Sequence, residues 1–414
     1  MEKRRVVVTG TGVISPVGNS TAEFWDSLKA GRSGIGLVQG MDDVPLPVRV
    51  VGQVKDFDPV AFGLTRVEAR RNDPFSQYAM AASIEAMRES GLESGVNIDP
   101  ERLGVYVGSG IGGLKIFVEQ TKVLLSEGAG RISPLFIPTM ISNIAAGNIA
   151  IRFKAQGPCI NVVTACATGT NNIGEAYRAI ACGTVDAVIA GGAEAAINPI
   201  TIGGFANSKA LTTCEDPERA SIPFDLDRKG FVLAEGGAVM ILEELEHAKA
   251  RGANIMAEVV GYGITCDAYH ATAPGPDGKM AALAIRQALE EARYDADRDS
   301  LYINAHGTGT HLNDKSETLA IKLVLGQKAY EVPVSSTKSM TGHMIAATGA
   351  AEAIACVKAL QEGVLPPTIG LRTPDPECDL DYVPNAARKC DINIAASNSL
   401  GFGGHNVCLA LRKF

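Results

Sequence analysis

A cysteine and two histidines stand where this 414-residue chain could do covalent chemistry. Cys166 follows the apolar run Cys159-Ile-Asn-Val-Val-Thr-Ala and precedes Ala-Thr-Gly-Thr-Asn-Asn-Ile-Gly. The pattern predicts a strand that turns sharply into a helix, with the thiol at the turn. A thiol there faces the positive end of a helix dipole, which predicts a lowered pKa and a better nucleophile. The small neighbours Ala165, Ala167 and Gly169 let the backbone bend and a substrate approach. His306 closes the run Leu301-Tyr-Ile-Asn-Ala, at the carboxyl end of a predicted strand, where open α/β sheets put their chemistry. Lys338 and His343 lie on the small-residue segment Lys338-Ser-Met-Thr-Gly-His343 after a further strand. Taken singly, each histidine reads as a satisfied structural residue. Together, a Cys and two His at three strand ends make a candidate triad. His247, His270, His311 and His405 read as surface or loop residues.

Alternating β-branched and Ala-rich stretches must position these groups. Strands are predicted at 5–9, 103–108, 159–164, 187–191 and 239–243, and helices at 74–90, 170–182 and 245–251. After Gly252 the theme restarts, with strands at 255–262, 301–305, 332–336, 392–397 and 407–411 and helices at 280–292, 315–325 and 346–362. The echo between the segments that follow 160–164 and 332–337 predicts a duplicated α/β body with halves 1–252 and 253–414 packed as one. Two glycine motifs imitate nucleotide-binding turns. Gly108-Ser-Gly110-Ile-Gly-Gly113 fits GxGxxG, with Glu127 downstream, but the segment up to that Glu reads as helix and leaves no second strand to carry it. Val8-Thr-Gly10-Thr-Gly12 is followed by Pro16 where helix N–H donors should stand. Both are expected to be tight turns.

Composition narrows the classes. Net charge is −8, with no basic arm, so nucleic acid is not an expected partner. Asp186 and Glu194 break the longest apolar stretch, and Gly10, Gly12 and Pro16 cut the first one short, so neither a membrane span nor a leader is expected and the protein is predicted to be cytoplasmic. The nine cysteines form no close pairs, so neither zinc nor redox CxxC chemistry is indicated, and eight of them are expected to be buried reduced thiols. Glycine, at 45 residues, is in excess and obeys no short period.

The motifs around Cys166, His306 and His343, with Pro223-Phe-Asp-Leu-Asp-Arg228, Ser397-Asn-Ser-Leu-Gly-Phe402-Gly-Gly404 and the opening Val-Val-Val-Thr-Gly-Thr-Gly, resemble the β-ketoacyl-[acyl-carrier-protein] synthases, above all the elongating type II enzymes. The resemblance runs over essentially the whole chain. It implies the thiolase-like α/β fold, two similar halves in a five-layered α-β-α-β-α body. It implies decarboxylative condensation of acyl- with malonyl-carrier protein in fatty acid elongation, with no cofactor beyond the carrier's phosphopantetheine. A dissociated polyketide pathway or a type I enzyme is the alternative. By this resemblance Cys166 carries the acyl chain, and His306 and His343 are neutral donors to the enolate of the decarboxylated malonyl unit. The backbone N–H groups of Cys166 and Phe402 form a second oxyanion site. Lys338 supports them with Glu352 as its network partner. In that family this acid also lies by a structural cation, but no metal is predicted from the sequence.

Thr308 and Thr310 match pantetheine contacts, Phe402, Leu400 and Gly401 the gate, and Ile111 and Phe205 substrate-binding positions. The Gly108–Gly113 segment is then expected to pass close to an acyl tunnel. Arg66, Arg70, Arg71, Arg131 and Lys209 match or adjoin the face on which relatives dock acyl carrier protein, and a homodimer is expected. Leu400 replaces a usual aromatic, His405 a Thr and Lys229 an Asp, which bears on substrate choice. A non-catalytic chain-length partner would lack Cys166. A cysteine hydrolase would need neither His343 nor Lys338, and a dehydrogenase would bind a nicotinamide.

Overall fold

The computed structural model describes residues 3–414. Its main sheet has ten strands: β1 (Val6–Ile14), β2 (Leu103–Gly108), β3 (Cys159–Ile160), β4 (Ala187–Glu194), β5 (Gly236–Glu244), β6 (Ala257–Cys266), β7 (Leu301–Asn304), β8 (Val334–Ser335), β9 (Ile394–Gly401) and β10 (His405–Arg412). Their spatial order, β8-β7-β9-β10-β6-β1-β5-β4-β2-β3, is the same five-strand pattern written twice and joined in the middle. In each half the outer three strands run parallel (β4, β2, β3 and β9, β7, β8), the next strand (β5 or β10) is antiparallel to its neighbours on both sides, and the innermost (β1 or β6) again runs in the direction of the outer three. The halves meet where β1 pairs antiparallel with β6, Val6 to Val259 through Val8 to Ala257.

Helices complete five layers. Helix α1 (Pro74–Ser90) covers the outer face of the first half-sheet, α2 (Thr168–Ala181) and α5 (Thr348–Glu362) fill the middle, and α3 (Lys279–Glu291) and α4 (His311–Leu325) cover the second half-sheet. Local chemistry sets these helices. Asp73 accepts from the Phe75 N–H, Pro74 occupies the first turn, and Gly91 closes α1 in the left-handed region at φ +63°. The middle layer is built from small side chains. Ala350, Ala351, Ala353, Ala355 and Ala359 of α5 are fully or almost fully buried with Ile173, Ala176 and Ile180 of α2, which lets two helices share the space between the two half-sheets.

The element types agree with the sequence pattern, and several bounds shift. The stretch at 159–164 is a strand only over Cys159–Ile160, and that at 332–336 only over Val334–Ser335. The Val8–Gly18 motif is no tight turn over most of its length, because Gly10 and Gly12 lie inside β1. A Cβ at either would stand 2.2 and 1.9 Å from the carbonyl oxygens of Ala86 and Ala82, so these glycines let α1 lie directly on the strand. The cysteines also depart from expectation. Cys356, Cys378 and Cys408 are buried, Cys214 and Cys390 are half-buried, and Cys159, Cys182 and Cys266 are exposed, all unpaired. Cys159 lies in the short edge strand β3, Cys182 caps the C-terminus of α2 and Cys266 ends β6, and each is a place where no further layer covers the chain. His247 sits on a helix, with Nδ1 2.6 Å from Glu243 Oε1. Among the described residues no helix is long and apolar enough to cross a membrane.

Candidate active site

Cys166 lies just beyond β3, where the chain leaves the sheet, takes Ala165 through the left-handed region at φ +51°, makes one 3-10 turn over Ala165–Ala167 and enters α2. Buried hydrogen bonds hold this elbow. Thr164 N–H donates to Thr168 Oγ1 at 2.9 Å, Thr164 Oγ1 to Asn171 Oδ1 at 2.6 Å, and Val162 N–H to Asn172 Oδ1 at 3.0 Å. A turn that admits a non-glycine residue at positive φ is held by its surroundings, a device found at reactive sites.

His306 follows β7. Its backbone N–H and that of Gly307 each donate 2.8 Å bonds to the two oxygens of buried Glu317 on α4, and Asn398 Nδ2 donates to the same carboxylate at 3.2 Å. His343 follows the short helix Lys338–Thr341. Its N–H donates to Val232 O at 2.7 Å and its Nδ1 lies 3.1 Å from Thr348 Oγ1. The imidazoles are 5.4 Å apart at 85°, and Phe231 meets His343 edge to face at 5.2 Å. Neither His306 Nδ1 nor His343 Nε2 has a hydrogen-bond partner among the described residues, although both are buried.

All three groups open on one cleft of about 320 Å³, together with Thr308, Thr310, Leu400, Gly401 and Phe402. Gly401 is needed there: a Cβ would sit 2.8 Å from Thr164 O and 3.4 Å from the Cys166 nitrogen, in the space between the gate and the elbow. The Thr308 and Thr310 hydroxyls are 3.1 Å apart. Phe205 stands behind the cleft, against Phe231 at 5.5 Å and Phe402 at 6.3 Å.

Electrostatics separate the thiol from the imidazoles. Burial pushes the Cys166 thiol up to about 11, against the opposing effects of the Lys338 charge and the Phe402 N–H, so the dipole does not deliver the lowered pKa expected from the sequence. Desolvation outweighs the nearby positive charge and the N–H groups that favour the thiolate. Burial, then the positive charge of Lys338, holds both histidines well below the ordinary imidazole value, and His343 depresses His306 further. Both rings are therefore neutral at pH 7. Lys338 Nζ bonds Glu352 Oε1 at 2.6 Å inside the protein, and burial raises that carboxyl to about 7 against the lysine's pull.

Other predicted positions fall elsewhere. Ile111 is partly exposed in a separate apolar groove with Phe117 and Met140, outside the cleft. The turn that bears it does approach the elbow: a Cβ on Gly110 would lie 3.5 Å from Ala165 O. Arg66, Arg70 and Arg71 share one exposed helix (Arg66–Arg71), Arg131 pairs with Glu127 at 3.4 Å, and Lys209 lines the cleft mouth. Glu317, Thr348, Phe231 and Asn398 were not singled out from the sequence. Nothing in their spacing marks them, because each reaches the site from a different element. Glu194 was read only as a break in an apolar run. It is buried at the end of β4, accepts from Ser109 Oγ (2.6 Å), Gly110 N (3.0 Å) and Ile111 N (3.3 Å), and is raised to about 7 by burial.

Residues 3–248 match the β-ketoacyl synthase N-terminal domain and residues 256–372 its C-terminal domain. The chain belongs to the β-ketoacyl synthase family, a family of acyltransferases. Its relatives include the 3-oxoacyl-[acyl-carrier-protein] synthase 2 of Synechocystis sp., 51% identical over all of this chain and 99% of that one, and the protein of the same name from Coxiella burnetii, 48% identical with the same coverage. Among solved structures, a type II polyketide ketosynthase bound to its acyl-carrier protein and a hexaketide superposes with a TM-score of 0.92 at 36% identity, with both chains fully covered. A β-ketoacyl synthase from Burkholderia phymatum gives 0.92 at 34% identity, covering 99% of this chain and all of that one.

Proposed function

We propose that the protein is an elongating 3-oxoacyl-[acyl-carrier-protein] synthase of type II fatty acid synthesis, working in the cytoplasm on thioesters of acyl carrier protein without a further cofactor. The observation that carries this reading is the convergence of one thiol and two neutral imidazoles, from both halves of the fold, on a single cleft. Cys166 Sγ attacks the acyl thioester carbonyl, and its proton leaves with the carrier's thiol. The Cys166 and Phe402 N–H groups receive the negative oxygen of the tetrahedral intermediate. Malonyl thioester then loses carbon dioxide, and the bonding pair passes into an enolate whose oxygen accepts from His306 and His343. When Thr348 donates to His343 Nδ1, the ring proton stands on Nε2, the nitrogen left for the substrate. Donors fixed in a buried site stabilise charge as it develops without reorganising. The enolate carbon attacks the Cys166 thioester, the thiolate leaves, and a 3-oxoacyl chain two carbons longer results.

The unbonded buried oxygens Glu352 Oε2, Asn304 Oδ1 and Asn398 Oδ1 are of the kind a hard cation takes, so the residues fit the structural ion implied by the resemblance, whose contribution would be charge balance beside Glu352. A homodimer is supported by strand β3, which ends the sheet with Cys159 and Ile160 exposed and Val163 uncovered beside them, an edge that a second copy can extend. Sedimentation of an Ile160→Lys variant as monomer, against a dimeric parent, tests it. Incubation with acyl- and malonyl-carrier protein should give the 3-oxoacyl product. Free fatty acid as the sole product would overturn the synthase reading in favour of a hydrolase, and a poly-β-ketone would place the enzyme in a polyketide pathway.

A further inference from the structure

Two lysines stand at the mouth of the cleft with no counter-ion among the described residues. Lys209 and Lys229 are both exposed and both line the cleft that ends at Cys166. Their juxtaposition is built by the backbone. Leu211 and Phe231 form a parallel bridge, with Phe231 N–H donating to Ala210 O at 3.0 Å and Thr212 N–H to Phe231 O at 2.9 Å. Each lysine lies two residues before its bridge partner, so both sit at the same end of two adjacent segments. Gly230 N–H ties this end to Gly309 O at 3.0 Å, beside the Thr308 and Thr310 hydroxyls. Lys209 is moreover held in the left-handed region at φ +59°.

The nearby carboxylates are already engaged. Asp225 accepts from the Arg372 and Thr373 N–H groups, Asp227 accepts from Thr373 Oγ1 and faces Arg219, and Asp267 accepts from Gly275 N–H and Asn406 Nδ2. Neither lysine forms an ion pair among the described residues. Like charges side by side on neighbouring segments cost stability, and a strained backbone at one of them adds to that cost. On a chain of net charge −8 such a local positive rim concentrates anions at one place.

We propose that Lys209 and Lys229 form a phosphate seat for the phosphopantetheine arm, with Thr308 and Thr310 below it and the thioester at Cys166. The proposal rests on the thioester-condensing reading and deepens it by naming the group recognised at the mouth. The same chemistry would seat the phosphate of a free phosphopantetheine thioester or of a coenzyme A thioester, so neither source needs the carrier protein for this contact.

Calorimetric titration of phosphopantetheine and of pantetheine into the whole protein reads the seat directly, without catalysis. Phosphopantetheine should bind about tenfold more tightly, and the advantage should shrink as salt rises. Lys209→Gln/Lys229→Gln should bring the ratio of the two affinities close to one. In condensation assays the same variant should lower the ratio of kcat/KM for acyl-phosphopantetheine over acyl-pantetheine, with the change in KM. Equal binding of the two ligands by the parent protein, or an unchanged ratio in the variant, overturns the seat. If the variant binds neither ligand, the salt series on the parent decides, and an advantage unaffected by salt overturns the proposal. Failure of condensation with every thioester while the binding difference persists would overturn the condensing reading and leave the seat standing.

Discussion

The molecule contains two copies of one strand-to-helix elbow, and only one of them carries a nucleophile. In the first, Ala165 at φ +51° leads through Cys166 and Ala167 into α2 at Thr168. In the second, Ile345 at φ +46° leads through Ala346 and Ala347 into α5 at Thr348. Ala346 thus takes the place of Cys166. The elbows touch: a Cβ on Gly169 would stand 2.5 Å from Ala346 O, and one on Gly349 would stand 2.0 Å from Thr170 Oγ1. The first elbow opens on the cleft, whereas the second is wholly buried and its Ala346 N–H is held by Glu194. The sheet edges divide the same way, β3 exposed and β8 buried. Duplication supplied two equivalent frames. Packing gave one of them a substrate and turned the other into a support that places His343 and Thr348.

Making the first elbow resemble the second gives the largest effect. Cys166→Ala should lower condensation on the order of 10³-fold or more, measured as 3-oxoacyl product, and moving the thiol in Cys166→Ala/Ala346→Cys should restore nothing. Recovered activity in that double variant would mean that the elbows are functionally interchangeable. His343→Ala removes a donor placed by the second elbow, and malonyl decarboxylation should fall on the order of 10²- to 10³-fold. A normal decarboxylation rate refutes the assigned role.

Gly401→Ala crowds the first elbow from the gate, and acyl transfer to Cys166, measured as the rate of acyl-enzyme formation, should slow about tenfold or more. Ala346→Cys alone overfills the second elbow and should cost about 1–3 kcal/mol in denaturant unfolding, with a smaller effect on turnover. The last test concerns pH. Because both imidazoles are held below their ordinary value, they stay neutral as pH falls from 8 to 6.5, and decarboxylation should remain flat over that range. Alkylation of Cys166 should rise with each pH unit towards about 11, since only the thiolate reacts and the fraction ionised grows up to that value.

Residues close in sequence to a strand end were legible. Cys166, His306 and His343 each follow an apolar β run, and the small residues beside them mark a turn. Lys338 and Glu352 were reached through the family pattern, and the 2.6 Å bond joins them. Glu317 and Thr348 were not legible, because their function is to touch a histidine from another element. The glycines of β1 were misread because the feature that requires them is a helix more than sixty residues away. The thiol's pKa was misjudged for a related reason: the dipole is a local property, whereas burial depends on every layer around the site.

The sequence by itself determined the order of strands and helices and the identity of the reactive groups, since these follow from periodicity and side-chain chemistry along a few neighbouring residues. Only the tertiary structure decided which of two equivalent elbows meets the cleft, which cysteines are covered, and how charged each reactive group is. Those properties depend on solvent access and on partners distant in the chain, and both come into being only when the two halves close on each other.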